Sequence, residues 1–216
     1  MRLPSKAGLQ RRGRAAARYL RQRIGRARAR TRLSHTLPEN ASVHLGCGPV
    51  HLDGWVNVDI DRSKKPDVRV DLRYGFPAPS GSVAYVFSEH VFEHLTLEDG
   101  LRLLDDCRVA LRPGGVVRIA MPDLRYLVDR YQGDWKDQAW LQDPALKMID
   151  SPARMLNFAL RSWEHLYVYD LAELTLRLKQ VGFAVVEPRE PGQSPHPELR
   201  GLELRPDSLL IVEATK

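Results

Sequence analysis

Short apolar runs alternate with stretches in which apolar residues recur every three or four positions from residue 41 onward. Strands are predicted at residues 42–45, 55–60, 68–70 and 83–88, then at 116–121, 184–187 and 209–214. Thr96 caps a helix, with Asp99 as the reciprocal carboxylate and Leu97, Leu101, Leu104, Cys107 and Leu111 as its buried stripe. Pro113-Gly114-Gly115 ends it. Asp170 and Glu173 open a second helix with the stripe Leu171, Leu174, Leu178 and Val181, closed by Gly182 in a left-handed conformation. The alternation predicts an α/β domain with a mostly parallel sheet. Residues 49–54 are too few for a crossover helix between the first two strands, so a loop or single turn is expected there. Residues 123–159, rich in Trp, Tyr, Asp and Gln, suit an inserted helical lid.

Charge divides the chain. Residues 1–32 hold twelve Arg and Lys and no acid, whereas 21 basic and 27 acidic residues follow, so an overall +6 conceals a domain of −6. We therefore read residues 1–38 as a basic arm, helical or disordered, and 39–216 as the domain. A helix over 6–29 is weakened by Gly8, Gly13 and Gly25, and its apolar side (Leu9, Ala16, Leu20, Ile24) is thin. A solvated leader, contact with anionic lipid and contact with nucleic acid all fit this composition, in that order, and a transit peptide would look similar. No apolar run is long enough to span a bilayer, no secretory leader is visible, and the two cysteines do not suggest a disulfide framework. A cytoplasmic setting is expected, peripheral at the inner membrane face if the arm meets lipid.

Gly46 and Gly48 follow the first strand, where a tight turn and close approach to a ligand need residues without side chains. Alone they are an ordinary turn. Asp59 ends the second strand at the carboxyl edge, where open α/β sheets bind ligands, and a carboxylate there can take both hydroxyls of a ribose. Asp71, just past the third strand, is placed to accept from an adenine amino group. A nicotinamide-cofactor reading lacks the third spaced glycine and the crossover.

VHLGCG (43–48), VNVDI (56–60), VDLR (70–73), YVFSEHVFEHL (85–95), LRPGGVVRIAMPD (111–123) and VGFAVVE (181–187) together resemble the class I S-adenosylmethionine (SAM)-dependent methyltransferases over residues 41–215. More narrowly, the pattern is similar to a small-molecule branch of bacterial predicted methyltransferases associated with cell-surface saccharide assembly. The resemblance implies a Rossmann-like, seven-stranded sheet with its last strand antiparallel. It also implies that SAM meets Leu45, Gly46 and Gly48 through its methionine part, Asp59 and Ile60 through its ribose side, Asp71 and Leu72 through adenine, and Ser88 near the sulfonium. His44 departs from the acid usual in such families.

Ser88-Glu89-His90-Val91-Phe92-Glu93-His94 follows the fourth strand, where an acceptor would lie. His-x-x-Glu-His is formally an inverted zinc-peptidase motif, but its setting argues otherwise. The segment resembles the Glu-x-x-Glu-His of ubiquinone-biosynthesis O-methyltransferases, which implies a divalent metal held by His90, Glu93 and His94. His90 or His94 as a general base, and plain packing of the turn, are the alternatives. His165 is a further catalytic candidate. Trp135, Trp140, Trp163 and Tyr167 could form an aromatic wall or pack the lid, and His196 and Glu198 lie in a loop expected to border the pocket. The expected reaction is methyl transfer from SAM to a hydroxyl of a small polar acceptor such as a saccharide or glycolipid. An RNA methyltransferase using the arm, or a SAM-binding regulatory module without catalysis, are the rivals.

Overall fold

The structure is a computed structural model, and it describes residues 6–216, with side chains from residue 19 onward. Seven strands form one sheet: β1 (Ala41–Leu45), β2 (Val56–Asp59), β3 (Val68–Arg69), β4 (Val83–Glu89), β5 (Leu111–Met121), β6 (Val185–Pro188) and β7 (Leu210–Thr215). Their order is β3-β2-β1-β4-β5-β7-β6. β1 to β5 run parallel, and β7 is antiparallel to both β5 and β6. This is the class I methyltransferase arrangement expected from the sequence. The strand after the Pro-Gly-Gly turn starts earlier than its apolar run: Leu111 already pairs with Val83, across an irregularity in the register.

Among the described residues five α-helices accompany the sheet: α1 (Lys6–Thr36), α2 (Leu97–Ala110), α3 (Leu124–Gln132), α4 (Pro152–Arg161) and α5 (Leu171–Gln180). Thr96 and Asp170 cap α2 and α5 by accepting from the backbone N–H of Asp99 and Glu173. The buried side of α2 is rotated from the expected stripe and consists of Asp99, Gly100, Leu103, Leu104, Cys107 and Ala110. Leu171 is likewise exposed, leaving Leu174 and Leu178 as the anchors of α5. Both cysteines are buried and free.

The expected helix at the start is longer than 6–29. Gly25 does not break it, because a Cβ there would lie 2.5 Å from Tyr74 Cδ2, so glycine is what allows the helix to approach the domain. Ala29 and Leu33 enter the main core, and the Arg26 guanidinium clasps Asp106 of α2 at 2.6 and 2.8 Å. Leu20 and Ile24 of the expected apolar side are exposed, and the side chains of Leu9 and Ala16 lie outside the described residues.

The core is lopsided. α1, α2 and α5 all cover the face formed by Val43, Leu45, Val86, Val117, Ile119 and Val212. The opposite face carries His44, Phe87, Arg118, Ala120, Ile211 and Glu213, and it is covered by irregular chain that brings Leu52, Trp55 and Leu202 onto it. No helix separates β1 from β2, as expected from the length of 49–54. Asn57 clamps this loop instead, accepting from Leu52 N at 2.9 Å and donating to Trp55 O at 3.1 Å. Residues 189–208 cover the rest, pinned by Arg118, which is fully buried and bonds Glu203, Gln193 O at 2.9 Å and Glu213 at 2.7 Å.

The helical insertion expected over 123–159 is present and runs on to Arg161, the end of α4. Leu127, Ile149, Met155 and Ala159 make a separate small core, with Trp135, Trp140 and Phe158 packed against it.

Candidate active site

Two cavities open at the carboxyl end of the parallel strands. The first, about 620 Å³, is lined by Gly46, Asp59, Ile60, Asp71 and Leu72, together with Val70, Arg73, Val91, Leu95, Glu164 and Leu166. The second, about 550 Å³, lies under the lid between Asp123, Tyr126, Gln138, Trp140 and Trp163 on one side and Arg205, Pro206, Asp207 and Leu209 on the other. His90 and His94 line both.

The first cavity is built on the glycine turn. Gly46 takes φ +67°, and a Cβ there would lie 2.3 Å from Val91 Cγ2, so both backbone and space require glycine. Asp59 holds the turn: its carboxylate accepts from Gly48 N at 2.9 Å and Asp61 N at 2.7 Å. Asp71 caps a single turn at Leu72–Tyr74 and is gripped by Arg73 at 2.9 and 2.8 Å, which raises the Arg73 pKa. Five of the eight residues expected to meet a cofactor therefore line one cavity. Three do not. Leu45 is fully buried in the core, Gly48 is half-exposed outside the lining with its N–H on Asp59, and Ser88 is fully buried with no partner for its Oγ among the described residues.

His44 also turns away from this cavity. It sits on the loop-covered face, 3.3 Å from Asn57 Oδ1 and against the Phe87 ring. Burial lowers its pKa to about 4, against a smaller opposing effect of the Asn57 bond. Because the folded state binds this proton less readily than the unfolded state, stability is full above pH 6.5 and falls as the pH drops toward 4. The loss amounts to about 3 kcal/mol for one group. Denaturant melts of His44→Gln are expected to show a flatter decline over that window than wild type.

The histidine cluster lies at the boundary. The chain leaves β4 through His90, which takes φ +53°, a conformation costly for a side-chain-bearing residue. Its Nδ1 lies 3.0 Å from Glu93 Oε1, and its Nε2 lies 3.6 Å from Asp207 Oδ1. Glu93 is fully buried, and neither of its oxygens has a well-directed hydrogen bond among the described residues. The trio whose donor atoms all come within 4.8 Å of one another is Glu93, His94 and His165, rather than the expected His90, Glu93 and His94. The rings of His94 and His165 meet edge to face with centroids 5.0 Å apart. His165 Nδ1 is 2.7 Å from Ala159 O, so it donates there and leaves Nε2 with a free lone pair. Burial lowers the His165 pKa, which also favours the neutral ring.

Residues 163–166 partition the two cavities. Trp163 and His165 face the lid cavity, whereas Glu164 and Leu166 face the other. The segment is tied down by Glu93 O, which accepts from Leu166 N at 2.7 Å and Tyr167 N at 3.2 Å. Trp163 and Glu164 both take positive φ, of +54° and +65°. Of the expected aromatic wall, Trp140 and Trp163 line the cavity, Trp135 packs inside the lid, and the Tyr167 hydroxyl donates to Glu173 at 2.7 Å. His196 lies away from both cavities, beside the Tyr85 ring on the loop-covered face.

The sequence reading missed Glu89 and the segment 203–209. Glu89 accepts from Leu204 N, Arg205 N and Ser208 Oγ, the last at 2.7 Å, and so sets the wall carrying Arg205 and Asp207. A carboxylate at the end of a strand beside the histidines was the available signal.

Comparison with known proteins agrees with this architecture. A family described as methyltransferase domain matches residues 18–188. The chain belongs to that methyltransferase family. Its fold is similar to that of a SAM-dependent methyltransferase from Archaeoglobus fulgidus at 15% identity, covering 90% of this chain and 94% of that one, with a TM-score of 0.51. It is also similar to a "possible exported protein" from Bordetella parapertussis at 14% identity, covering 88% of this chain and 66% of that one, with a TM-score of 0.50. No curated protein matches the chain by sequence. The fold and the family make this a class I SAM-dependent methyltransferase.

Proposed function

We propose that this methyltransferase transfers the SAM methyl group to a hydroxyl of a small polar acceptor, with a sugar ring as the best fit. The observation that carries the reading is that the two cavities share His90 and His94. SAM would occupy the cavity of Gly46, Asp59 and Asp71, and the acceptor would lie under the lid. Trp140 and Trp163 offer ring faces for the apolar side of a sugar, while Asp123, Arg205 and Asp207 offer partners for its hydroxyls. Methyl transfer needs the acceptor oxygen in line with the sulfonium carbon at near-attack distance, so holding both ligands against one partition does much of the catalysis. His94, exposed to both cavities, is the group we assign to receive the hydroxyl proton.

A second reading is favoured by the buried Glu93 carboxylate, which has no well-directed hydrogen bond among the described residues. Glu93, His94 and His165 have the donor set for a divalent cation, and the bond to Ala159 O fixes the His165 tautomer that ligation needs. Such an ion would lower the pKa of an acceptor hydroxyl.

Calorimetry tests the cofactor assignment. Asp59→Ala is expected to weaken SAM binding about 100-fold, the loss of two hydrogen bonds to a charged group. Production of S-adenosylhomocysteine across a panel of methyl glycosides then tests the acceptor class. Wild-type SAM affinity in Asp59→Ala would remove the cofactor assignment.

A further inference from the structure

The side of α1 turned away from the domain has a pattern that methyl transfer does not use. Gln22, Arg26, Ala29 and Leu33 face inward, which at 100° per residue puts Leu20, Ile24, Ala27 and Thr31 on the outward stripe. Leu20 is 59% and Ile24 44% exposed. Arg23 and Arg30 flank this stripe on one side, and Arg21 and Arg28 on the other. Among the described residues none of these four arginines forms an ion pair, whereas Arg26, on the inner side, pins the helix to Asp106.

The basic surface continues past the helix. An open groove of about 710 Å³ runs between the end of α1 and the β2–β3 segment, lined by Arg32, Arg62, Lys65 and Arg69. Its lining holds one carboxylate, Asp67, which accepts from Asn57 N at 2.7 Å, against the four cationic side chains. None of the four cations forms an ion pair among the described residues.

Arginines alone would suit any polyanion. The exposed leucine and isoleucine between two arginine rows narrow the choice, because a phosphate backbone offers no apolar phase to receive them. Such a helix suits the lipid–water interface, with apolar side chains entering the acyl boundary and long cationic ones reaching back to the headgroups. The geometry points to a docking surface for an anionic phospholipid bilayer, made of the outward side of α1 and the groove of Arg32, Arg62, Lys65 and Arg69. The assignment does not rest on the choice of methyl acceptor.

Flotation of the full chain with vesicles tests it, using equal parts phosphatidylcholine and phosphatidylglycerol against phosphatidylcholine alone. Binding is expected only to the anionic vesicles, weakening with added salt. Arg62→Ala/Lys65→Ala should bind roughly 25-fold more weakly, about fivefold for each charge removed. Leu20→Ser/Ile24→Ser should also lose vesicle binding, although it keeps every charge. Its binding to a mixed-sequence single-stranded RNA serves as the comparison, and SAM binding equal to wild type checks the fold of each variant. Equal binding to neutral vesicles would overturn the inference. So would vesicle binding unaffected by the Leu20 and Ile24 changes, or tighter binding to the RNA than to the anionic vesicles.

Discussion

His94→Ala is expected to lower the rate of methyl transfer by about 10²–10⁴-fold, the usual worth of a positioned acid–base group, while SAM affinity changes little. The ring borders both cavities, yet the cavity proposed for SAM keeps Gly46, Asp59 and Asp71 in the variant. The loss should therefore fall on kcat rather than on the dissociation constant of SAM. The same measurement on His165→Ala separates the two readings of the cluster. With His94 as a base, His165 serves only to pack against it, and its removal costs far less than that of His94. With a cation held by Glu93, His94 and His165, the two variants fall together, and added zinc or manganese raises the melting temperature of wild type but of neither variant. A His94→Ala enzyme with wild-type kcat would defeat both readings.

Arg118→Met is expected to destabilise the protein by about 3–5 kcal/mol, the typical cost of removing one partner from a buried ionic group. Arg118 is the counter-ion of Glu203 and Glu213, all of them buried or nearly so. Burial pushes the Glu213 carboxyl up, but the hydrogen bonds from Arg189, Ser194 and Arg118 outweigh it and hold the group below the ordinary glutamate range. A depressed carboxylate adds stability above its unfolded pKa that disappears as the pH falls through the folded one. The gap between wild type and Arg118→Met should accordingly narrow in acid, and urea melts at neutral and acidic pH would measure it. Replacing Arg118, Glu203 and Glu213 together by apolar residues of similar size should recover much of the loss, because no unpaired charge then remains. A small effect of Arg118→Met at neutral pH would mean that water already reaches these carboxylates.

The sheet was legible because its signals are local. Alternating apolar runs, the caps at Thr96 and Asp170, the left-handed Gly182 and the short 49–54 link each depend on residues close in sequence, and each appears as expected. The cavity at the strand ends was legible for a related reason: Gly46, Asp59 and Asp71 lie where open α/β sheets bind ligands. What escaped depends on separations that no periodicity encodes. Glu89 meets Ser208 and Arg118 meets Glu203, each across a long stretch of chain. Gly25 misleads in the opposite direction, because helix propensity counts its missing side chain as a defect while packing against Tyr74 requires it. His44 was recognised as a misfit to the family pattern, but only the structure reveals that it serves the loop-covered face rather than the cavity.

The partition at residues 163–166 carries a thermodynamic consequence. Its side chains alternate between the cavities, so occupancy of one presses on the same backbone that shapes the other. Linkage is reciprocal: with SAM and the acceptor in the two cavities as proposed, whatever factor one contributes to the affinity of the other must be returned. With Glu93 O anchoring Leu166 and Tyr167, that coupling would run through a strut bonded to the neighbour of the proposed base.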